Sequence, residues 1–533
     1  MRPVAGLIAA IVAVGATLSM CDDAQAQKSG GVLKMYHRDN PPSGSILEEA
    51  TNSTVIPFMP VFNNLVLYDQ HVAQNSLASI VADLADSWSW NTEQTELTFK
   101  LHPGVKWHDG KPFTAKDVQC TWDGLLLGKA EQKLRKNPRQ SWYGNLDHVS
   151  VNGDNEATFH LKRPQPSFLA LLASGYSPVY PCHVSPAEMR IRPVGTGPFK
   201  FVEFKQNEHV KIARNPDYWR KGRPYLDGME FPIVSSRSTA ILGFVTGRFD
   251  MAFPWEVTIP LLKDVQSQAP KAVCEVTSMN NSTNLIVNRD VPPFSDPDIR
   301  KAAALSLDRK AFIDIINQGK AEIGGVMEPL TDGVWGLPKE MLETVPGYGP
   351  DIARNRADGR ELMKKLGYGP DKHLKLKIAT RNIALYRDPA VIMIDQLKEV
   401  YIEAELEIVE TANWFTKVGR KDYSIGLNTT GNGVDDPDQN FYENFSCGSE
   451  RNYTGYCNPE IDKLINRQSQ ELDPQKRKKL VWEVDRKLLE DGARPIIMWN
   501  RAATCWQPYV KGYTAQVNSV YNGFRFEDVW LDK

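Results

Sequence analysis

The densest run of residues able to do chemistry lies between Asn428 and Cys457, NTTGNGVDDPDQNFYENFSCGSERNYTGYC. Its Gly and Asn residues would let a ligand approach backbone amides closely. Asp435 and Asp436 could do acid/base work, and Asp436, Asp438 and Asn440 have the alternate spacing that opens a calcium loop. Both of those readings fail on their neighbours. Adjacent carboxylates seldom converge on one substrate atom, and Asp436-Pro437 favours a turn. Phe441 stands where a calcium loop turns on Gly, and Cys447 stands where its closing Glu belongs. The stretch therefore reads as a recognition loop, with Gly431, Asn432, Gly433 and Asp435 as candidate ligand contacts.

No other motif supplies a catalytic residue, a metal site or a cofactor site. Gly195-Thr196-Gly197 lacks the Lys-Ser/Thr of a phosphate loop, and neither Gly-x-Ser-x-Gly nor His-Glu-x-x-His occurs. The nine His are scattered, which gives metal or haem capture no particular support. A formal net charge of −2, with no basic run longer than Lys476–Lys479, argues against nucleic acid or an anionic membrane as partner.

The start of the chain points to export. Met1-Arg2 is basic, Val4–Met20 is uncharged and largely apolar, and Ala24-Gln25-Ala26 has the small-x-small pattern of a cleavage site, so residues 1–26 read as a signal peptide. Lipid anchoring at Cys21 is the less favoured form, because Met20 precedes it where a small residue is preferred. Without Cys21, six Cys remain in a chain bound for an oxidising space. Cys447 and Cys457 are expected to pair, closing a short loop worth roughly 3 kcal/mol; pairing of Cys120, Cys182, Cys274 and Cys505 is open.

The elements that would position such a loop are legible from period and caps. Leu374, Leu376 and Ile378 alternate, Val391–Val400 has helical spacing, and Leu406 and Ile408 alternate again, which predicts a βαβ unit. Tyr423–Leu427 reads as the next strand, so the loop would leave a strand end, where ligands gather in open α/β sheets. Leu97–Leu101 and Val105–Gly110 read as two short strands. Capping boxes are expected at Thr114 with Asp117 and at Ser295 with Asp298, and Asp473 should cap a helix starting at Pro474.

Several segments, in order, resemble the bacterial extracellular solute-binding proteins of the peptide, dipeptide and nickel type. They are LTFKLHPGVKWHDGKPFTAKDV from Leu97, VGTGPFKF from Val194 with RNPDYW from Arg214, PPFSDPDIRKA from Pro292, and NPEID from Asn458. His102 stands where that family more often carries Arg. The resemblance covers almost the whole mature chain.

It implies an α/β, two-lobed periplasmic-binding-protein fold, class II-like and enlarged by an extra subdomain. Lobe 1 would comprise residues 27–70, 190–288 and 497–533, the subdomain 71–189, and lobe 2 289–496, with a hinge of two crossings near Asn288 and Asn500. The implied function is that of a periplasmic component of an ABC importer. It would be a monomer that captures a peptide or other small organic solute between its lobes and delivers it to an inner-membrane permease. A receptor for signalling or chemotaxis on the same fold is the alternative, and a secreted hydrolase acting at Asp435 or Asp436 ranks last. By the same resemblance Asn52, Ser53, Thr54, Asn281 and Trp414 would face the ligand. In peptide-binding relatives a loop carboxylate pairs with the peptide's amino terminus; counting back from Asp436-Pro437 puts Gly433 at that place, leaving Asp435 as a possible substitute.

Overall fold

The computed structural model describes residues 27–533; the expected signal peptide 1–26, with Cys21, lies outside the described residues. The central sheet has five strands in the order Ile402–Val409, Leu374–Arg381, Ile425–Gly431, Val273–Val287 and Ile496–Trp506. Leu374–Arg381 pairs in parallel with Ile402–Val409, and the helix Ala384–Lys398 connects them, as the alternating and helical periods require.

The stretch from Asn428 is not one loop. Its first residues continue the strand Ile425–Gly431, because each pairs in turn with the long strand Val273–Val287 as far as Asn281 opposite Gly431. That ladder satisfies backbone groups that a buried loop would leave unpaired. After Gly431 the chain turns into the helix Pro437–Asn444, where Asp436 is the N-cap, its carboxylate accepting from the Asp438 N–H at 2.9 Å.

Two long strands cross between hydrophobic cores. Met279, Ala502, Ala503 and Trp506 pack with Leu33, Phe58 and Phe253, whereas Leu285, Val287, Ile497 and Met498 pack with Ile378, Ile402 and Ile425. The ladder between them shifts register from Ser278 to Ser282, and Asn280 adopts φ +51° there. The first passage between cores thus falls at Met279–Leu285, several residues before Asn288, while the second falls at Met498–Ala502, around Asn500.

The first core also carries a sheet of Val32–Lys34, Gly228–Pro232, His209–Arg214 and Phe199–Lys205, and a separate antiparallel sheet spans Ala85 to Leu161. Within the latter region Val105–Gly110 is a turn with a single bridge, Lys106 to Pro112, rather than a second strand, because the Gly110 N–H folds back onto the Trp107 carbonyl at 2.8 Å. Thr114 and Asp473 cap as expected. Ser295 does not: Pro297 occupies the first helical position, which makes Asp296 the N-cap, accepting from the Asp298 N–H at 2.8 Å. All six described Cys stand at disulfide distance, as Cys120–Cys182, Cys274–Cys505 and Cys447–Cys457. Among the described residues no helix is long and apolar enough to cross a membrane.

Candidate functional site

A narrow cavity lies where the two cores meet, and both contribute to its wall. The first side supplies Arg38, Trp255 and the start of the helix Asn52–Phe58, whose N-cap Thr51 accepts from the Ser53 N–H at 3.2 Å. The second supplies Arg381, at the carboxyl end of its strand, with Tyr386 and Phe415 from the two helices flanking that strand end. Asn281, Asn428, Thr429 and Gly431 come from the paired strand ends between them. The wall is completed by Arg451 and Tyr521. Its free volume is about 20 Å³, room for one water-sized body, so a solute enters only as the two sides separate.

The two sides are latched by buried charge. Asp39 accepts from Arg381 Nη2 at 3.0 Å and from Thr411 Oγ1 at 2.6 Å, both across the cavity, while Ser53 Oγ on its own side donates to it at 2.6 Å. Burial works against the charge of Asp39, yet Arg381, His37 and Arg38 outweigh it and hold the carboxyl below the usual carboxylate range. Arg381 spends its remaining donors on Tyr386 Oη at 2.9 Å and Thr411. Tyr386 Oη in turn accepts from Thr429 Oγ1 at 2.8 Å, which ties the helix start to the strand end.

Residues 79–452 match the model of the bacterial extracellular solute-binding proteins, family 5, middle region. The chain belongs to this family. Family 5 proteins are the solute-capturing components of ABC importers. Among its relatives, a probable di/tripeptide-binding protein 5 of Pseudomonas aeruginosa is 25% identical over 494 residues, 86% of each chain. The oligopeptide-binding protein AppA of Bacillus subtilis is 27% identical over 460 residues, 81% of this chain and 80% of that one. The structure of Haemophilus influenzae OppA in complex with RPPGFSPFR superposes with a TM-score of 0.84 at 20% identity, over 95% of this chain and 100% of that one, and so shares the two-lobed fold.

Within this family 5 chain, the residues singled out from sequence fall in four places. Asn52, Asn281 and Gly431 stand on the cavity wall. Ser53 and Thr54 are fully buried behind it, Ser53 holding Asp39 and Thr54 donating to the Ser43 carbonyl at 3.3 Å. Asn432 and Gly433 also lie beneath the wall: the Asn432 N–H donates to the Asn280 carbonyl at 2.8 Å, and a Cβ on Gly433 would meet Trp142 at 3.2 Å and Tyr521 at 3.3 Å. Trp414 is in neither place. It fills an apolar cluster with Ile286, Ala379 and Val418, and its neighbour Phe415 is the ring on the wall.

The arginines, Tyr386 and Tyr521 of the wall were not singled out from sequence. Their signal was weak but present, since Arg38 and Arg381 each interrupt or end an apolar strand-like run, where a charge is expensive unless paired.

Asp435 faces a different hollow, lined by Leu77, Val334 and Leu472. Its Oδ2 accepts from Asn518 at 3.3 Å and its Oδ1 has no partner. Burial pushes this carboxyl up to about 7, Asp436 adding to the effect and the Asn518 hydrogen bond opposing it. An unfolded Asp titrates near ~3.9, so the folded state holds an extra proton between the two values and stability falls as pH rises through that window. Asp435→Asn is expected to remove part of that fall. It should leave the thermal midpoint little changed at pH 4 and raise stability at pH 8 by roughly 1–2 kcal/mol, the buried amide replacing the charge. Midpoints measured across pH 4–8 check this; equal shifts at both ends would contradict it.

Proposed function

We propose that this protein is exported by residues 1–26 to the periplasm and there captures a peptide or another small organic solute in the cavity between its lobes, for delivery to an inner-membrane ABC permease. The carrying observation is a cavity whose wall joins Arg38, Asn52 and Trp255 of one body to Arg381, Phe415 and Arg451 of the other. A ligand touching both sides favours the closed arrangement over the open one, which is how capture becomes a shape the permease can read. The peptide class is supported by the names of its relatives, and the family fold supports transport without chemistry on the solute.

On this reading lobe 1 comprises 27–70, the chain from 190 to the crossing within Met279–Leu285 and the chain from the crossing within Met498–Ala502 to 533, with the subdomain 71–189 and lobe 2 between the two crossings. Asn52, Asn281 and Gly431 touch the solute. Ser53, Thr54, Asn432 and Gly433 support those that do. Native mass spectrometry of the protein taken from the periplasmic fraction tests the proposal, the expected result being a retained solute mass that is lost on unfolding. A bare chain, together with no thermal stabilisation by di- and tripeptides, amino acids, sugars or organic acids, would overturn it.

A further inference from the structure

The cavity wall carries Arg38, Arg381 and Arg451 and, among the described residues, no carboxylate. Three carboxylates stand behind it: Asp39 on Arg381, Glu256 on Arg38 and Glu443 on Arg451. If these pairs were complete, the arginines would be scaffold. Donor accounting separates them. Arg381 is complete, with Nε, Nη1 and Nη2 all donating to protein oxygens. Arg38 donates through Nη1 to Glu256 at 2.9 Å, and its buried Nε has no acceptor. Arg451 likewise reaches Glu443 through Nη1 alone and leaves Nε without one.

Glu443 is further oversubscribed. It also accepts from Trp142 Nε1 at 2.7 Å and Gln439 at 3.1 Å, and among the described residues it is the one carboxylate within 4 Å of Arg139, 3.8 Å from Nη1. Arg139 is fully buried and none of its three side-chain nitrogens has a hydrogen-bond acceptor. It lies 3.6 Å over the Tyr176 ring, which packs against Tyr521 of the cavity wall at 4.4 Å between centroids. Burial draws Arg139 down to about 10, which still leaves it charged at neutral pH. On this side, then, two guanidinium groups share one carboxylate, with Gly433 beside Trp142 and Tyr521 adding no second one. The site has buried guanidinium donors in excess of its carboxylates, and the oxygens on its wall are those of neutral side chains such as Asn281, Asn428 and Thr429.

We infer that the cavity selects a compact organic anion, whose oxyanion group is taken by Arg451 from one side and Arg38 from the other, with Arg139 reinforcing the charge from beneath Tyr521. Planar guanidinium forks match a carboxylate or phosphate, whereas a protonated amine would meet three guanidinium groups and no carboxylate on this wall. This deepens the solute-capture reading and rests on it.

The test uses protein from the periplasmic fraction, stripped of retained solute by unfolding and refolding, and calorimetry with citrate, glutarate, N-acetylglutamate, glucose 6-phosphate, trialanine, glucose and spermidine. Acids are expected to bind, and the primary amide of the best acid to bind roughly 100-fold more weakly or worse. Whether carboxylates or the phosphate ester bind best identifies the source of the oxyanion. Arg451→Gln should abolish the preference for acid over amide, and Arg451→Lys should keep part of it. The amide comparison needs no variant, so it stands even if a substitution fails to fold. Binding of trialanine, glucose or spermidine with none of the acids overturns the anion inference and leaves solute capture intact. No binding by any probe, with no retained mass from the periplasm, overturns both.

Discussion

Arg477→Met is expected to cost about 3–5 kcal/mol of stability, the usual penalty for stranding a buried ion. Arg477 sits on the buried face of the helix Pro474–Glu490 and donates through both terminal nitrogens to Asp436, each at 2.7 Å, and to Asp438 at 3.3 Å. Its Nε also holds the end of the preceding helix through Gln468 at 3.1 Å. Deleting the guanidinium leaves two carboxylates in the interior beneath the turn that follows Gly431. Protonation of Asp436 would relieve the strain, because burial already raises its carboxyl and Arg477 is what opposes that rise. The deficit should therefore be largest at neutral pH and shrink towards pH 4. Denaturant titrations at pH 7 and pH 4.5 read this directly, and Asp436→Asn in the same chain should recover part of the loss. A deficit that stays constant with pH would show that the carboxylates are not what the substitution exposes. Despite the calcium-like spacing of Asp436 and Asp438, their carboxylates pair with an arginine.

The second large effect is expected at the latch. Asp39→Ala leaves Arg381 buried in the closed arrangement with no counter-ion, again a matter of about 3–5 kcal/mol. Here the protein has an escape that Arg477→Met lacks. Separation of the lobes returns Arg381 to water, so the cost falls on closure more than on folding. The global unfolding midpoint should move little, while solute affinity drops by roughly 100-fold or more. Small-angle scattering should show a larger radius for the variant than for the parent under the same conditions. Because Arg381, His37 and Arg38 keep the Asp39 carboxyl below the ordinary range, the parent's latch should persist in mildly acidic medium and fail only as pH drops through that lowered value. A variant with parental affinity and radius would remove Asp39 from the closure mechanism.

What could be read along the chain was whatever is written locally. The strand Leu374–Arg381, its crossover helix and its parallel partner follow from side chains alternating or recurring on one face. Thr114 and Asp473 announce helix starts because a cap bonds only two or three residues ahead. Tyr423–Leu427 was too short a strand because the partner that extends it to Gly431 lies some 150 residues earlier in the chain, at Asn281. Trp414 and Phe415 are adjacent on one helix, and only packing decides which ring meets the core and which the cavity.

The motifs from Leu97, Val194, Pro292 and Asn458, each built of turns, caps and paired strands, by themselves determined the family and its two-lobed fold. The absence of a carboxylate at Gly433 was likewise legible as a departure. Tertiary structure alone decided which charges gather near it. Arg38, Arg139, Arg381 and Arg451 are spread along most of the chain and share no period, so nothing in the sequence marks them as one electrostatic group. They become one because two cores close on each other, and charges removed from water must then be counted together, partner by partner.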